Sequence, residues 1–366
     1  MSVDRRSVLL LGDSLRVGGT EGQFVEVACG LDRARWDVHV SCLRAEGPLR
    51  ARLEAAGVGA WSCGRGSLKP PRFLAAVWGL VRYLRVHGIR LVHCFDFYSN
   101  ILGVPAGRLA RVPVSIASQR DLGDLRPPGQ QRVHRAALRL ADHVLVNSEA
   151  VADRVRLNGR VAVIPNGVDL ARFGPAPTSR LRSAGMTIGT LSHLRPEKGL
   201  VDLVQAAAIV RGSHPQHRFV LWGEGPLRPR LEELVRQLGL GGTVELRGTT
   251  TEPEVALRQL DIFVLPSVSE ACSNALLQAM ATGLPVVATR VGGNPLLVAD
   301  ETTGLLVPPA QPAELAKAIL RLIEAPALAT ALGARARQRV REEFGVDRML
   351  ARVQALYDRL LAEVGS

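Results

Sequence analysis

Apolar positions fall along this chain in two alternating patterns. Short runs that are apolar almost throughout read as strands buried on both faces, and stretches with apolar residues every third or fourth position read as amphipathic helices. Strands are predicted over 7–11, 36–43, 89–94, 112–118, 142–148 and 161–164, then over 187–191, 218–222, 244–246, 261–265 and 285–288. Helices are predicted over about 23–31, 49–56, 72–87, 126–140 and 150–159, then over 200–210, 227–238, 253–259, 274–282 and 312–324. A last helical stretch, 327–363, is expected to break near Gly345. Pro70 and Pro71 open the helix at 72, where Phe73, Val77, Leu80, Val81 and Leu84 share one face. Strands alternating with helices imply parallel sheets covered on both sides, an α/β fold. There is no low-complexity segment and no short repeat.

The pattern is interrupted between 165 and 185 by a stretch rich in Pro, Gly and Ser, which marks a domain boundary. The expected organisation is a first domain over 1–170, a linker over 171–185, a second domain over 186–345, and a terminal helix over 346–366 that crosses back to the first. A length of 366 residues suits two domains, and 47% hydrophobic residues suits two sizeable cores. No apolar run is long enough to cross a bilayer, and the first one reads as a strand rather than a signal peptide. The five cysteines, 29, 42, 63, 94 and 272, are scattered and form no C-x-x-C pair. That argues against a disulfide framework or a zinc site and fits a reducing, cytoplasmic setting.

The formal charge of +12 is lopsided. Residues 1–175 carry 25 basic and 15 acidic side chains, against 21 and 19 in the remainder. A basic first half suggests an anionic partner such as a lipid surface, a phosphate-bearing acceptor or nucleic acid. Compositional bias accounts for it equally well, since nearly all the cations are Arg. The helix at 126–140 carries Arg132, Arg135 and Arg139 beside Val133, Leu138 and Leu140, and suits either an anionic membrane or an ordinary surface position. Nucleic-acid binding is disfavoured because no aromatic platform is interleaved with the basic residues.

Candidate chemistry concentrates in 266–289, PSVSEACSNALLQAMATGLPVVAT. A buried strand breaks at Pro266 and Ser267, and Glu270 follows in a loop of small residues. Ser273 is positioned to cap a helix that Gly283 stops, and a second strand begins at Pro285. The loop therefore lies at the C-terminal end of a strand, where open α/β sheets bind ligands. Backbone N–H groups of Ala271, Cys272, Ser273 and Asn274 would favour an anion there. Near the N-terminus, Gly18 and Gly19 sit where a strand passes into a helix, so they serve either a close approach to a ligand or a plain turn. His93 and Asp96 end another strand, a position that suits a structural histidine at least as well as a site residue.

The order of residues after Glu270 resembles the signature of the retaining GT-B glycosyltransferases of family 4. Members carry an acid, seven intervening residues and a second acid, then a helix end and a Gly-x-Pro-Val-Val strand. Gly18, Gly19, Thr20 and Glu21 match the family's Gly-Gly-x-Glu, and the motif at 165–169, PNGVD, matches its strand end before the interdomain linker. The resemblance implies two Rossmann-like domains with parallel sheets facing a cleft. It also implies transfer of a hexose from a UDP- or GDP-sugar, UDP before GDP, to a glycan or polyprenyl-lipid-linked acceptor.

By the same resemblance, no cofactor, metal ion or covalent intermediate is needed, and the departing phosphate helps deprotonate the acceptor. Lys198 and a preceding Arg should hold the diphosphate, with Gly223 near the nucleotide, Glu270 on hexose hydroxyls and the second acid on the ribose. The chain departs from the pattern in four places. Gln278 replaces the second acid, and His193 replaces the Arg, with Arg195 two positions on as a substitute cation. Arg120 stands where many members have a donor-contacting His, and Leu296 stands where an acid is common. His93 matches a histidine that members often carry near the acceptor. The reading is a retaining, metal-independent hexosyltransferase of bacterial-type cell-surface polysaccharide synthesis, cytoplasmic and peripheral on the inner membrane face. The alternative is a scaffold protein of such an assembly, built on the same fold but without turnover.

Overall fold

A computed structural model of the chain describes residues 5–64, 71–157, 159–175 and 185–365. Backbone contacts divide it into two compact units, Met1–Asn166 with Asp347–Ser366, and Gly167–Val346. The chain changes unit between Asn166 and Gly167, ahead of the boundary expected at 170. Residues 176–184 of the expected linker, and Pro70 and Asn158 at the ends of expected helices, lie outside the described residues.

The first unit holds a seven-stranded sheet built from β1 (Arg6–Ser14), β2 (Trp36–Arg44), β3 (Ala60–Ser62), β4 (Leu91–Cys94), β5 (Val114–Gln119), β6 (His143–Val146) and β7 (Val161–Val163). Its order is β3-β2-β1-β4-β5-β6-β7, and every pairing is parallel. Val8, Leu9, Leu10 and Leu11 of β1 are fully buried, as a central strand covered on both faces requires. Helices α1 (Gly19–Gly30), α2 (Arg50–Ala55), α3 (Arg72–Val86), α4 (Phe97–Ala110), α5 (Pro128–Leu140) and α6 (Glu149–Val155) connect the strands.

Two helices differ from the sequence reading. α1 begins at Gly19, not near Gln23, because Gly18 is extended at its N-cap and its carbonyl accepts the first helical bond from Gly22. Glycines are poor helix formers and masked that start. α4 was not expected at all, since Gly103, Pro105 and Gly107 break its pattern. Its start is secured by a capping box between Asp96 and Ser99. Gly103 lets it lie against the sheet: a Cβ there would collide with Cys94 Sγ and the Leu11 side chain.

The second unit holds a six-stranded sheet of β8 (Thr187–Leu191), β9 (Arg218–Trp222), β10 (Val244–Gly248), β11 (Ile262–Leu265), β12 (Val286–Thr289) and β13 (Leu305–Val307). Its order is β10-β9-β8-β11-β12-β13, again parallel throughout. Helices α7 (Leu200–Ser213), α8 (Arg228–Gln237), α9 (Pro253–Leu257), α10 (Asn274–Ala281), α11 (Asn294–Leu297), α12 (Pro312–Glu324) and α13 (Pro326–Glu343) complete it. The short elements β3, α11 and β13 carry too little pattern to be read in advance.

The expected break at Gly345 separates α13 from α14 (Val346–Gly365). There the chain pairs with Val168, whose N–H donates to Phe344 O and whose carbonyl accepts from Val346 N, both at 2.9 Å. α14 then packs on the first unit. Tyr357 is fully buried, edge-on to Trp36 at 5.5 Å, and Asp358 pairs with both Arg6 and Arg35. No helix among the described residues is long and apolar enough to cross a membrane.

Candidate active site

In each sheet the strand order reverses at one place, between β1 and β4 in the first and between β8 and β11 in the second. Loops leaving the C-terminal ends of two such strands diverge to opposite faces and open a crevice, the usual ligand position of an open α/β sheet. Several of the residues singled out from the sequence lie on the loops at these two places, and others do not.

In the second unit the loop after β8 carries His193 and Arg195, then a 3-10 turn, Pro196–Lys198. The loop after β11 carries Glu270 and runs into α10. The two loops are tied together by backbone. Glu197 O accepts from Val268 N at 2.9 Å, and a Cβ on Gly199 would overlap the Pro266 carbonyl. Gly199 has φ of +61°, the left-handed region that glycine enters without strain. This close approach places Lys198 Nζ 2.7 Å from Glu270 Oε2. The same carboxylate oxygen accepts from Ser267 Oγ at 3.1 Å, and Gly293 N, from the loop after β12, donates to Glu270 O. Glu270 thus sits in a small, mostly buried pocket of donors, with its side chain 11% exposed and that of Lys198 22%.

The other residues singled out in this unit lie on these loops, on α10, after β9 and on α11. Ser273 caps α10, its hydroxyl accepting from Leu276 N, and with Ala271 and Cys272 it is buried at the helix start. Asn274, Ala275 and Gln278 form the half-exposed stripe of α10, so Gln278 lies one turn beyond Asn274 on the open side. His193 remains open to solvent, yet partial desolvation of its ring and then the cations Arg195 and Lys198 hold it below the usual histidine range. Arg195 is exposed and has no ion pair among the described residues. Gly223 acts from beneath: its N–H is taken by Gly248 O, and a Cβ there would overlap Ser192 O, so it supports the His193 loop through close backbone packing. Leu296 lies in α11 and packs against the core.

In the first unit the crevice is lined by Gly12, Asp13, Ser14, Thr20, Glu21, Phe24, Phe95 and Asp96. Gly18 and Gly19 stand at its edge as the start of α1. Asp13 was not singled out from the sequence, although an acid at the C-terminal end of a buried strand is a readable signal. Its carboxylate accepts from Ser99 N at 2.7 Å and Tyr98 N at 3.3 Å. Burial and then the neighbouring Asp96 push its pKa up to about 7. Asp96 is raised too, by burial first and then by Glu21, against the lowering effect of its Phe97 amide bond, Arg126 and Arg120.

His93 does not reach this crevice. It is fully buried, with Nδ1 2.6 Å from the Tyr357 hydroxyl and Nε2 2.8 Å from Ser118 Oγ. Burial, then Arg120, lowers its pKa well below the usual range, so it is a neutral core residue joining β4, β5 and α14. Contact with an acceptor, as the resemblance implied, is therefore closed to it. Arg120 lies half-buried over the Phe95 ring and donates to Asn166 Oδ1 at 2.9 Å. Among the described residues, no three His, Cys, Asp or Glu side chains are grouped to hold a metal ion.

Two parallel sheets, each with charged and glycine-bearing loops at its point of reversal, define a pair of Rossmann-like units with a ligand crevice at each switch point. The family models give the class. Residues 17–172 match "Glycosyltransferase Family 4" and residues 185–325 match "Glycosyl transferases group 1". The chain is 32% identical over 281 residues to the D-inositol 3-phosphate glycosyltransferase of Pseudarthrobacter chlorophenolicus, covering 69% of this chain and 67% of that one. It is 32% identical over 259 residues to the putative colanic acid biosynthesis glycosyltransferase WcaL of Escherichia coli K12, covering 66% of this chain and 62% of the relative. Among solved structures, that of Anabaena HepE in complex with UDP-glucose superposes with a TM-score of 0.85 at 24% identity, over 96% of this chain and 99% of that one. The chain belongs to the family 4, group 1 glycosyltransferases, and its fold is GT-B.

Proposed function

We propose that this glycosyltransferase moves a hexose from a nucleotide diphosphate sugar, UDP before GDP, to a hydroxyl of a glycan or lipid-linked acceptor, with retention at the anomeric carbon. The observation that carries the reading is the Lys198–Glu270 pair beside the start of α10, at the point where the second sheet reverses. A cation and a helix N-terminus suit a leaving diphosphate, whose charge grows as the glycosidic bond breaks. Glu270, already accepting from Lys198 and Ser267, has acceptor capacity left for hexose hydroxyls. Gln278, on the open stripe of α10, would face the ribose.

In the step itself the bond from the anomeric carbon to the diphosphate oxygen breaks. A bond to the acceptor oxygen forms on the same face, and the acceptor proton passes to the departing phosphate. No metal ion enters this scheme. The likeness to WcaL, named for colanic acid biosynthesis, supports placing the reaction in polysaccharide synthesis; the cytoplasmic face of the membrane is part of the proposal.

A second reading has its own support. Gln278, His193, Arg120 and Leu296 depart from the residues that the family's pattern implies, as in a binding or scaffold protein that no longer turns over. A thermal-shift screen of nucleotide sugars, followed by an assay for UDP or GDP release with acceptor pools, separates the two. Stabilisation by a UDP-sugar with acceptor-dependent release is the expected result. Stabilisation without release under any acceptor supports the scaffold, and no stabilisation by any nucleotide sugar overturns the donor site.

A further inference from the structure

Helices α3, α4 and α5 are neighbours on one side of the first sheet, with α4 packed between the other two. None of the three contains an aspartate or glutamate. α3 exposes Arg72, Arg82 and Arg85, and α5 exposes Arg132, Arg135 and Arg139. None of these six has an ion pair among the described residues. The acids at the margins are engaged elsewhere: Asp142 pairs with Arg108 and Asp121 with Arg126.

The same layer exposes large apolar side chains. Trp78 is 61% exposed and Leu74 54%, one turn apart on α3, with Val86 at the helix end. Leu109 of α4 and Val133 and Leu140 of α5 are exposed as well. The helix ends are laced together, since Arg85 donates to Leu109 O at 2.7 Å and Arg108 to Leu140 O at 3.0 Å. The buried side of α3, with Val77, Leu80, Val81 and Leu84, already satisfies its packing on the sheet. More than half of the Trp78 and Leu74 surface lies outside that packing, and exposing it costs solvation that a partner would recover.

We propose that the α3–α4–α5 layer docks on an anionic lipid bilayer, with Trp78 and Leu74 entering the headgroup–acyl boundary and the arginines meeting the headgroups. Charge complementarity selects this occupant. Unpaired arginines interspersed with aliphatic side chains and a tryptophan suit a surface that is anionic outside and apolar beneath. A nucleic acid would leave Leu74, Val86, Leu109, Val133 and Leu140 against its phosphates, where they gain nothing. The layer flanks the sheet, so docking leaves the crevice at the ends of β1 and β4 open along the membrane plane. The inference rests on the membrane-facing acceptor proposed above for its purpose, and its test needs neither donor nor acceptor.

The test is sedimentation of the full chain with vesicles of phosphatidylcholine alone and with a quarter phosphatidylglycerol, at low and physiological salt. Binding is expected only to the anionic vesicles, weakening at least about tenfold as salt rises. Trp78→Ser and the double variant Arg82→Glu/Arg135→Glu are each expected to lower it at least about tenfold, with melting temperature and UDP affinity retained. Arg230→Glu, an exposed change on the second unit, is the control and leaves vesicle binding intact. Trp78 is the exposed tryptophan of the four, so a blue shift in emission on anionic vesicles is expected in the parent and lost in Trp78→Ser. Equal binding to neutral vesicles, no binding, or binding untouched by both variants overturns the proposal. So does displacement from vesicles by a duplex oligonucleotide that itself binds through Arg82 and Arg135. Loss of UDP affinity in the parent would count against the transferase reading and leave the docking result standing.

Discussion

His93 on β4 and Tyr357 on α14, 264 positions apart, are joined by a 2.6 Å hydrogen bond inside the first unit. The bond fixes the terminal helix against a sheet formed by the opposite end of the chain. It also turns a histidine that resembled a site residue into part of the core. Tyr357→Phe removes the hydroxyl and leaves Nδ1 of His93 buried without its partner. The expected loss is about 1–3 kcal/mol of stability in urea denaturation, with UDP affinity unchanged in calorimetry. A stability equal to the parent's would show that the hydrogen bond contributes nothing net.

Asp13 gives the first unit a dependence on pH that can be isolated. Its pKa is raised to about 7 in the folded chain, so the folded state holds this proton more tightly than the unfolded one. The stability it contributes is complete below the ordinary aspartate value near 4 and is lost as pH rises through 7. Buried histidines act at the other side: His93 is held neutral, and His134 is lowered to about 3, by burial first and then by Arg126. Their contribution is present above the ordinary value near 6.5 and is lost as pH falls below it. Asp13→Asn should therefore gain stability relative to the parent as pH rises from 4 to 7, then level off. A difference that stays flat across that interval in pH-resolved denaturation would place the Asp13 titration elsewhere.

Lys198 and Glu270 neutralise each other without ligand, so removing either partner has a distinct outcome. Lys198→Ala deletes the cation and leaves an unpaired carboxylate beside the proposed diphosphate. UDP affinity should fall by about 1.5–3 kcal/mol. Glu270→Gln frees Lys198 and should hold or tighten UDP while abolishing sugar transfer. Calorimetry with UDP alone, set beside turnover of the UDP-sugar, separates these effects. Unchanged UDP affinity in Lys198→Ala would remove that residue from the site.

Gln278 tests the donor pose. On the half-exposed stripe of α10 it can offer the ribose one neutral carbonyl, where a carboxylate would accept from two hydroxyls. Gln278→Glu should raise nucleotide affinity by on the order of 1 kcal/mol, and Gln278→Ala should lower it. Weaker binding in Gln278→Glu would mean that the new charge meets the diphosphate instead. No effect from either change favours the scaffold reading.

The amino-acid sequence by itself determined most of the framework, because a strand buried on both faces must be apolar in an unbroken run. The runs in β1, β11 and β12 are such strands, and Ser273 and Gly345 act as local signals for a helix start and a helix break. Tertiary structure decided the rest. α4 lies close on β1 and β4 because Gly103 lets it press there, a gain that the same glycine hides from any local pattern. The edge strands β3 and β13, three residues each, depend on their neighbours for pairing. Whether a histidine at a strand end faces a ligand or the core was settled by α14, whose Tyr357 closes over His93. Lys198 and Glu270, 72 positions apart, meet only because Gly199 lets one loop rest on the carbonyl of Pro266. Side-chain direction, burial and the proton on Asp13 all depend on contacts between distant segments, and those contacts exist only once the sheet has formed.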